Sequence, residues 1–289
     1  MTIYAEVIGH PISHSKSPLI HGHWLRLLGM SAEYRAHEVL PENLEQYFAT
    51  RAADANWRGC NITIPHKIAA LDFVNDPGGV RASIGAINTV FRNESGALVA
   101  TNTDAGGFYG PIADVPIVGE TAVVIGAGGA ARAVLFALAQ ADVGEVVLVA
   151  RNALKAAGLL AHFGLKGKVI GFDARLPDAA LLVNASPLGM VGQEALDIDL
   201  SLLPEHALVY DLVYAPIETP LLKAARARDL ETVDGLEMLV GQAAIAFELF
   251  FGVAPPEEGE DELRALLLAN PLGVKKMPYR PLSFGFGQP

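Results

Sequence analysis

The sequence predicts an α/β protein of two domains, and three observations lead there. Strand-like apolar runs alternate with helix-like segments along nearly all of the chain. The 289 residues suffice for two domains of about 100 to 200 residues each. A glycine-rich turn, VVIGAGGAARAVL, leads from an apolar strand into a helix pattern, and alternation of this kind packs helices against a sheet.

From the N-terminus, IYAEVIG reads as a strand, PLIHGHWLRLLGM as a helix, AEYRAHEV as a strand and ENLEQYFATRAA as a helix. GCNITI is the next strand, and HKIAALDFV reads as helix-like. AINTVFR and LVATNT flank the turn NESG, the pattern of a hairpin. The first domain, an α/β substrate domain, is expected to cover residues 1–105. In AGGFYGPIADVPIVG, Gly and Pro punctuate the chain, although the first half is compatible with a helix.

The second domain is expected over 106–235. Its strands are TAVVI, EVVLVA, KVIGF, LLVNAS and ALVYDLV, with ARNALKAAGLLAHFG as a helix between the second and third. LEMLVGQAAIAFELFFG and PEEGEDELRALLLAN then read as helices, and the segment 236–289 is expected to return to the first domain. The tail from Pro271 shows no periodicity.

Composition narrows the function. The net charge is −11 and the 21 basic residues form no run, which disfavours nucleic-acid partners and favours small molecules. The single cysteine, Cys60, excludes an intrachain disulfide and a cysteine-based zinc site. Neither a signal sequence nor an apolar run of about 20 residues is visible, so no membrane is implied and a cytoplasmic setting is expected.

The turn places Gly126, Gly128 and Ala131 in a G-x-G-x-x-G/A pattern after a strand and at a helix start. Gly126 permits the tight turn, Gly128 admits a pyrophosphate to the backbone, and Ala131 is small enough for helix–strand packing. With Ala127, Gly129 and Ala130 they form the expected cofactor cradle of a Rossmann-like doubly wound domain. The following strand ends at Arg151, with Asn152 next and Lys155 one turn later. No acid stands there to meet a ribose 2′-hydroxyl, so NADP is favoured over NAD. Two cations at a positive helix end are poorly placed unless they meet an anion.

NITIPHK delivers Lys67 where a helix pattern begins, and TNTD offers Asp104 after another strand of the same domain. An ammonium and a carboxylate beside a carbonyl suit reversible proton transfer coupled to hydride transfer; singly, each is more often a surface charge. The stretch VIGHPISHSKSPLIHGHW has three readings: a metal site built on His10, His14, His21 and His23, an ordinary helix start with Ser17 as cap before Pro18, or a grip for a polar substrate. His21 and His23 point to different helix faces and no carboxylate accompanies them, so no metal is expected.

Taken together, HPISHSKSP, NITIPHK, GAINTV, TNTDAGGF, GAGGAARAV, NASPLGM, YAPIETPLL and DGLEMLVGQAAIAFELF resemble the shikimate dehydrogenase family, from Val7 to about Gly252. The resemblance implies two α/β domains about a cleft. It also implies reversible reduction of 3-dehydroshikimate to shikimate with NADPH, in the chorismate route to aromatic amino acids. By it, Ser15 and Ser17 would bind the substrate carboxylate and Lys67 would carry the proton with Asp104 as partner. Asn61, Thr63, Asn88, Tyr214 and Gln242 would hold the rest of the substrate. Asn184, Ser186, Leu212 and Gly235 would neighbour the cofactor.

One departure stands out: the family pattern N-R-T with a further Arg is here Ala150, Arg151, Asn152 and Lys155. Lysine offers a point charge rather than a planar fork, which leaves room for dual cofactor use. Gly106, Gly107 and Gly235 are candidate hinges for closure. Rival readings are a quinate or dual quinate/shikimate dehydrogenase, and a non-enzymatic sensor that binds dinucleotide or ring acid. Monomer and homodimer both remain open.

Overall fold

In the computed structural model, which describes residues 2–270, two sheets lie side by side. The first takes β1 (Ile3–Gly9), β2 (Ala32–Glu38), β3 (Trp57–Ile62), β4 (Thr89–Arg92) and β5 (Leu98–Thr101) in the order β2-β1-β3-β4-β5. β1 runs parallel to both β2 and β3, whereas β3, β4 and β5 are antiparallel. The NESG hairpin accounts for the β4–β5 pair, because a tight turn can only reverse the chain.

The second sheet is wholly parallel. β6 (Thr121–Ile125), β7 (Glu145–Val149), β8 (Gly167–Ile170), β9 (Leu181–Asn184), β10 (Leu208–Asp211) and β11 (Glu231–Val233) stand in the order β11-β10-β9-β6-β7-β8. Both faces are covered over the central strands, which read as near-continuous apolar runs, whereas the edge strands β8 and β11 are partly exposed. Ala122 and Val124 join a core on one face with Leu135 and Leu148, while Val123 and Ile125 join another with Leu182 and Leu222. Each buried valine, leucine or isoleucine among them stabilises by about 1.5 to 3 kcal/mol. The strand order reverses between β6 and β9, where the crevice of a doubly wound sheet opens.

Helices α1 (Ser17–Leu27), α2 (Leu44–Ala53), a short α3 (Val80–Ser83) and α4 (Asp104–Tyr109) belong with the first half. α5 (Gly129–Gln140), α6 (Ala153–His162) and α7 (Pro220–Arg226) follow the strands of the second. α8 (Gly235–Phe251) begins at Asp234, whose side chain accepts from the Leu236 N–H at 2.9 Å. α9 (Glu260–Ala269) comes last.

α8 and α9 bury their apolar residues with the first sheet. Leu236, Phe247, Phe250, Leu263 and Leu267 share one cluster with Ala5, Val7, Ile20 and Trp24. Residues 271–289, including the unassigned tail from Pro271, lie outside the described residues.

The segment HKIAALDFV departs from its helix-like reading. It forms turns followed by a 3₁₀ helix, Ala69–Phe73, and no α-helix. The Lys67 carbonyl accepts from the Ile87 N–H at 2.7 Å, which commits it to a crossing segment rather than to the i+4 amide. Lys67 therefore does not sit at the positive end of an α-helix. Its charge is met by a carboxylate instead.

Candidate active site

The ends of β1, β3 and β4 and the start of α4 face the loops after β9 and β10 and the start of α8 across a cavity of about 610 Å³. Its floor holds Lys67 and Asp104, whose side chains form a short ion pair, with Asp104 buried and Lys67 one-fifth exposed. Asp104 opens α4, where a carboxylate is favoured by the unpaired amides. The Asn102 side chain accepts from the Asp104 N–H at 3.0 Å and fixes this entry.

Asn88 holds the other carboxylate oxygen. Its Nδ2 donates to Asp104 Oδ1 at 2.8 Å and to Thr103 Oγ1 at 2.9 Å, and its Oδ1 accepts from the Thr103 N–H at 2.7 Å. Gln242, on α8, approaches the same amide at 3.5 Å and donates its Nε2 to the Leu239 carbonyl at 2.8 Å. Asn61 receives a hydrogen bond from Tyr34 at 2.6 Å and donates to Thr89 at 3.0 Å. Partners on every side hold these amides in one orientation, so little ordering remains to be done when a polar ring arrives.

Ser15 and Ser17 also line the cavity. Ser15 Oγ accepts from the Ser17 N–H at 3.3 Å, which leaves its own proton to donate. The residue capping α1 is Lys16, not Ser17, and no side chain caps this helix end. Thr63, Tyr214, Leu212 and Gly235 complete the wall, together with Met190, Gln193, Met238 and Leu239. Thus every substrate residue that the resemblance implies borders one space.

The glycine turn closes the same space from the second sheet. Gly126 has φ +111°, and a Cβ there would come within 2.9 Å of the Ala185 carbonyl oxygen, so only glycine fits. A Cβ at Gly128 would meet nothing within 4 Å, and one at Gly129 would lie 3.7 Å from Lys67 Cδ. α5 starts here without a side-chain cap. Its first amides are free for an anion, with Ala127 and Ala130 beside them, Ala130 lining the cavity, and Ala131 buried behind. A dinucleotide's pyrophosphate fits this cradle.

The remaining positions divide. Arg151 and Lys155 are exposed at the end of β7, and Asn152 spends its side-chain oxygen on capping α6, accepting from the Lys155 N–H at 2.9 Å. Asn184 is engaged by the protein itself, donating to Asp211 Oδ1 at 2.8 Å and to the Leu188 carbonyl at 3.0 Å, and accepting from the Ser186 hydroxyl at 2.7 Å. Neither Asn184 nor Ser186 lines the cavity.

Sequence reasoning missed Tyr34, Thr103 and Asp211. Asp211 accepts from Thr219, Val213 and Asn184 and so ties the ends of β9 and β10 together. Burial pushes its carboxyl up, opposed by these three donors. The available signals were an aspartate at an apolar strand end and a threonine inside TNTD.

Of the histidines, His21, His23 and His66 are buried in packing, while His10 and His14 border the cavity. His10 meets Glu38 at 3.0 Å, His23 the Gly259 carbonyl at 3.1 Å and His66 the Val39 carbonyl at 2.7 Å. His21 stacks on Tyr34 with ring centres 3.8 Å apart. Among the described residues, no group of three or more His, Cys, Asp or Glu is arranged to hold a metal. No described helix is long and apolar enough to cross a membrane.

Comparisons with known proteins agree with this arrangement. Residues 7–90 match the shikimate dehydrogenase substrate binding domain, and residues 235–259 match the shikimate 5'-dehydrogenase C-terminal domain. The chain is 62% identical over 266 residues to a shikimate dehydrogenase (NADP(+)) of Sphingopyxis alaskensis, covering 92% of this chain and 97% of the relative. It superposes on the Thermus thermophilus shikimate 5-dehydrogenase in complex with NADP(H) and shikimate with a TM-score of 0.80 at 37% identity, covering 92% and 99% of the two chains. A 5-ketofructose reductase of Gluconobacter, at 29% identity, gives a TM-score of 0.84 and coverage of 93% and 99%. With a cavity between the two sheets that gathers these polar side chains, and with near-complete coverage at such identity, the chain belongs to the shikimate dehydrogenase family.

Proposed function

We propose that the chain catalyses the reversible, NADP-linked interconversion of 3-dehydroshikimate and shikimate. The observation that carries this reading is the Lys67–Asp104 ion pair on the cavity floor, against the glycine turn. The dinucleotide supplies the hydride when bound. In the reducing direction Lys67 donates the proton that the carbonyl oxygen needs, and in the oxidising direction it accepts the hydroxyl proton. Asp104 keeps the ammonium aimed and leaves an acceptor near a neighbouring hydroxyl.

Ser15 and Ser17 would donate to the carboxylate, and Asn61, Thr63, Asn88, Tyr214 and Gln242 would hold the ring hydroxyls. Many convergent partners are what a polyhydroxy acid requires, since each one left unmatched penalises an analogue. Gly126 to Ala131 would cradle the pyrophosphate. Arg151, with Lys155, would receive the 2′-phosphate, supported by their exposure and by the absence of an acid at this corner. Residues 1–105 with the C-terminal helices form the substrate unit in this reading, and residues 106–235 the dinucleotide unit. The buried lone thiol of Cys60 suits a reducing, cytoplasmic compartment, and the protein would act as a monomer or homodimer.

A four-way assay tests the reading: shikimate and quinate, each with NADP+ and NAD+, for the wild type and Lys67→Ala. Shikimate with NADP+ should be the preferred pair, and the variant should lose most of its turnover. Equal activity in wild type and variant would remove the role given to Lys67. Binding of both ligands without hydride transfer would favour the sensor.

A further inference from the structure

Lys16 lies between the two serines, yet its side chain leaves the solvent. The residue is 4% exposed, its ammonium donates to the Leu267 carbonyl at 3.0 Å, and it stands 5.4 Å from the centre of the Tyr214 ring. Leu267 is in the last turn of α9, whose carboxyl end carries partial negative charge, and the face of an aromatic ring is also electron-rich. No carboxylate among the described residues pairs with this cation. Burial alone pushes the Lys16 ammonium below the usual lysine range, with no acid nearby to restore it.

Such an arrangement serves stability poorly. Taking an ammonium out of water costs several kcal/mol, by order of magnitude, and an apolar side chain of similar length would fill the same space without that loss. Its chain neighbours Ser15 and Ser17, and Tyr214, whose ring faces its ammonium, all line the cavity, however. A counter-anion therefore has a place to bind one side-chain layer away.

We propose that Lys16 is the fixed positive charge that attracts the substrate's carboxylate, acting from behind Ser15, Ser17 and Tyr214 without touching it. The inference rests on the ring-acid reading above and adds to it the source of selectivity for an anionic substrate. Neutral hydroxyls set the direction of the carboxylate but distinguish it weakly from an ester. A buried cation distinguishes the two by charge, because water screens it little there.

The test is calorimetric binding of shikimate, its neutral methyl ester and NADP+ to the wild type, Lys16→Met and Lys16→Arg. At an effective dielectric of about 20, a charge pair separated by one side-chain layer is worth roughly tenfold in affinity. Lys16→Met should thus weaken shikimate about tenfold and the ester less than twofold, on the same estimate. NADP+ affinity should stay put, and Lys16→Arg should recover most of the loss.

Equal weakening of acid and ester would reduce Lys16 to an anchor for α9 and overturn the proposal, as would an unchanged affinity for shikimate in Lys16→Met. The wild type gives an independent check if the Met variant does not fold: equal affinity for acid and ester also overturns it. Shikimate that binds without being oxidised by NADP+ would sink the dehydrogenase reading while leaving this one standing. No shikimate binding by the wild type would overturn both.

Discussion

Replacing Asp104 with asparagine keeps the shape of the side chain and removes its charge. In the wild type one carboxylate oxygen accepts from Lys67 and the other from Asn88 at 2.8 Å. An amide has only one acceptor to offer, so its NH2 must face either the ammonium or the Asn88 donor. The ion pair with Lys67 is lost in either orientation, and the one that keeps a charge-assisted bond from the ammonium to the amide oxygen sets the new NH2 against the Asn88 donor.

The kinetic cost should be that of disabling an acid–base unit, about 10² to 10⁴ in kcat, or roughly 2.7 to 5.4 kcal/mol at 1.36 kcal/mol per decade. Breaking a fully buried pair destabilises by about 3 to 5 kcal/mol. Lys67 keeps one-fifth of its side chain in solvent, so water recovers part of that, and a loss of about 1 to 2 kcal/mol is expected. The enzyme would therefore stay folded at 25 °C, and steady-state oxidation of shikimate would report chemistry alone. Because the two groups act as a unit, Lys67→Met combined with Asp104→Asn should cost little more than either change singly. A variant within threefold of wild-type kcat, or losses that add on a logarithmic scale, would refute the pairing as the catalytic unit.

Three further outcomes are expected. His21 is fully buried with both ring nitrogens lacking a hydrogen-bond partner, and burial pushes it down to about 3. The unfolded chain therefore takes up this proton first, and stability present above pH 6.5 is lost as pH falls toward 3, by at most about 1.4 kcal/mol per unit. His21→Phe, which keeps the stack on Tyr34, should unfold in urea at pH 7 no more easily than the wild type and show a flatter decline at pH 4 to 6; identical slopes would contradict this. In Gly107→Ala the new Cβ would sit 2.5 Å from the Gln242 nitrogen and 2.8 Å from the Met238 carbonyl. Helices α4 and α8 must then separate at a cost of about 1 to 3 kcal/mol, with a lower melting midpoint and weaker shikimate binding; an unchanged midpoint would show that the crossing has slack. Arg151→Ala should lower the NADP+ over NAD+ preference about tenfold or more with little change in stability, and an unaltered ratio would place the 2′-phosphate elsewhere.

Gly107 also shows how a residue type can be legible while its reason is not. Glycines at 106, 107 and 235 read as hinges in the sequence. In the structure Gly107 and Gly235 permit close contact, Gly107 with α8 and Gly235 with the Leu212 carbonyl at 2.5 Å from a would-be Cβ. Absence of a side chain can signal either freedom or crowding, and only neighbours distant in sequence distinguish them. HKIAALDFV likewise carries a helical pattern, but the Ile87 N–H takes the Lys67 carbonyl. A hydrogen bond spanning 20 residues is invisible to local periodicity.

By itself the sequence determined the alternation of strands and helices, the hairpin at NESG and the glycine turn, because periods of 2 and 3.6 and the demands of a positive φ are written in neighbouring residues. It also supplied the chemical inventory of the cavity through motifs that each stand at the end of a strand. Tertiary structure alone decided who meets whom: Lys67 with Asp104, Tyr34 with Asn61, and Lys16 with the end of α9. Those pairings follow from strand order and from α8 and α9 returning to the first sheet. Contacts across 27 to 251 residues depend on how whole elements pack, which no short stretch of chain encodes.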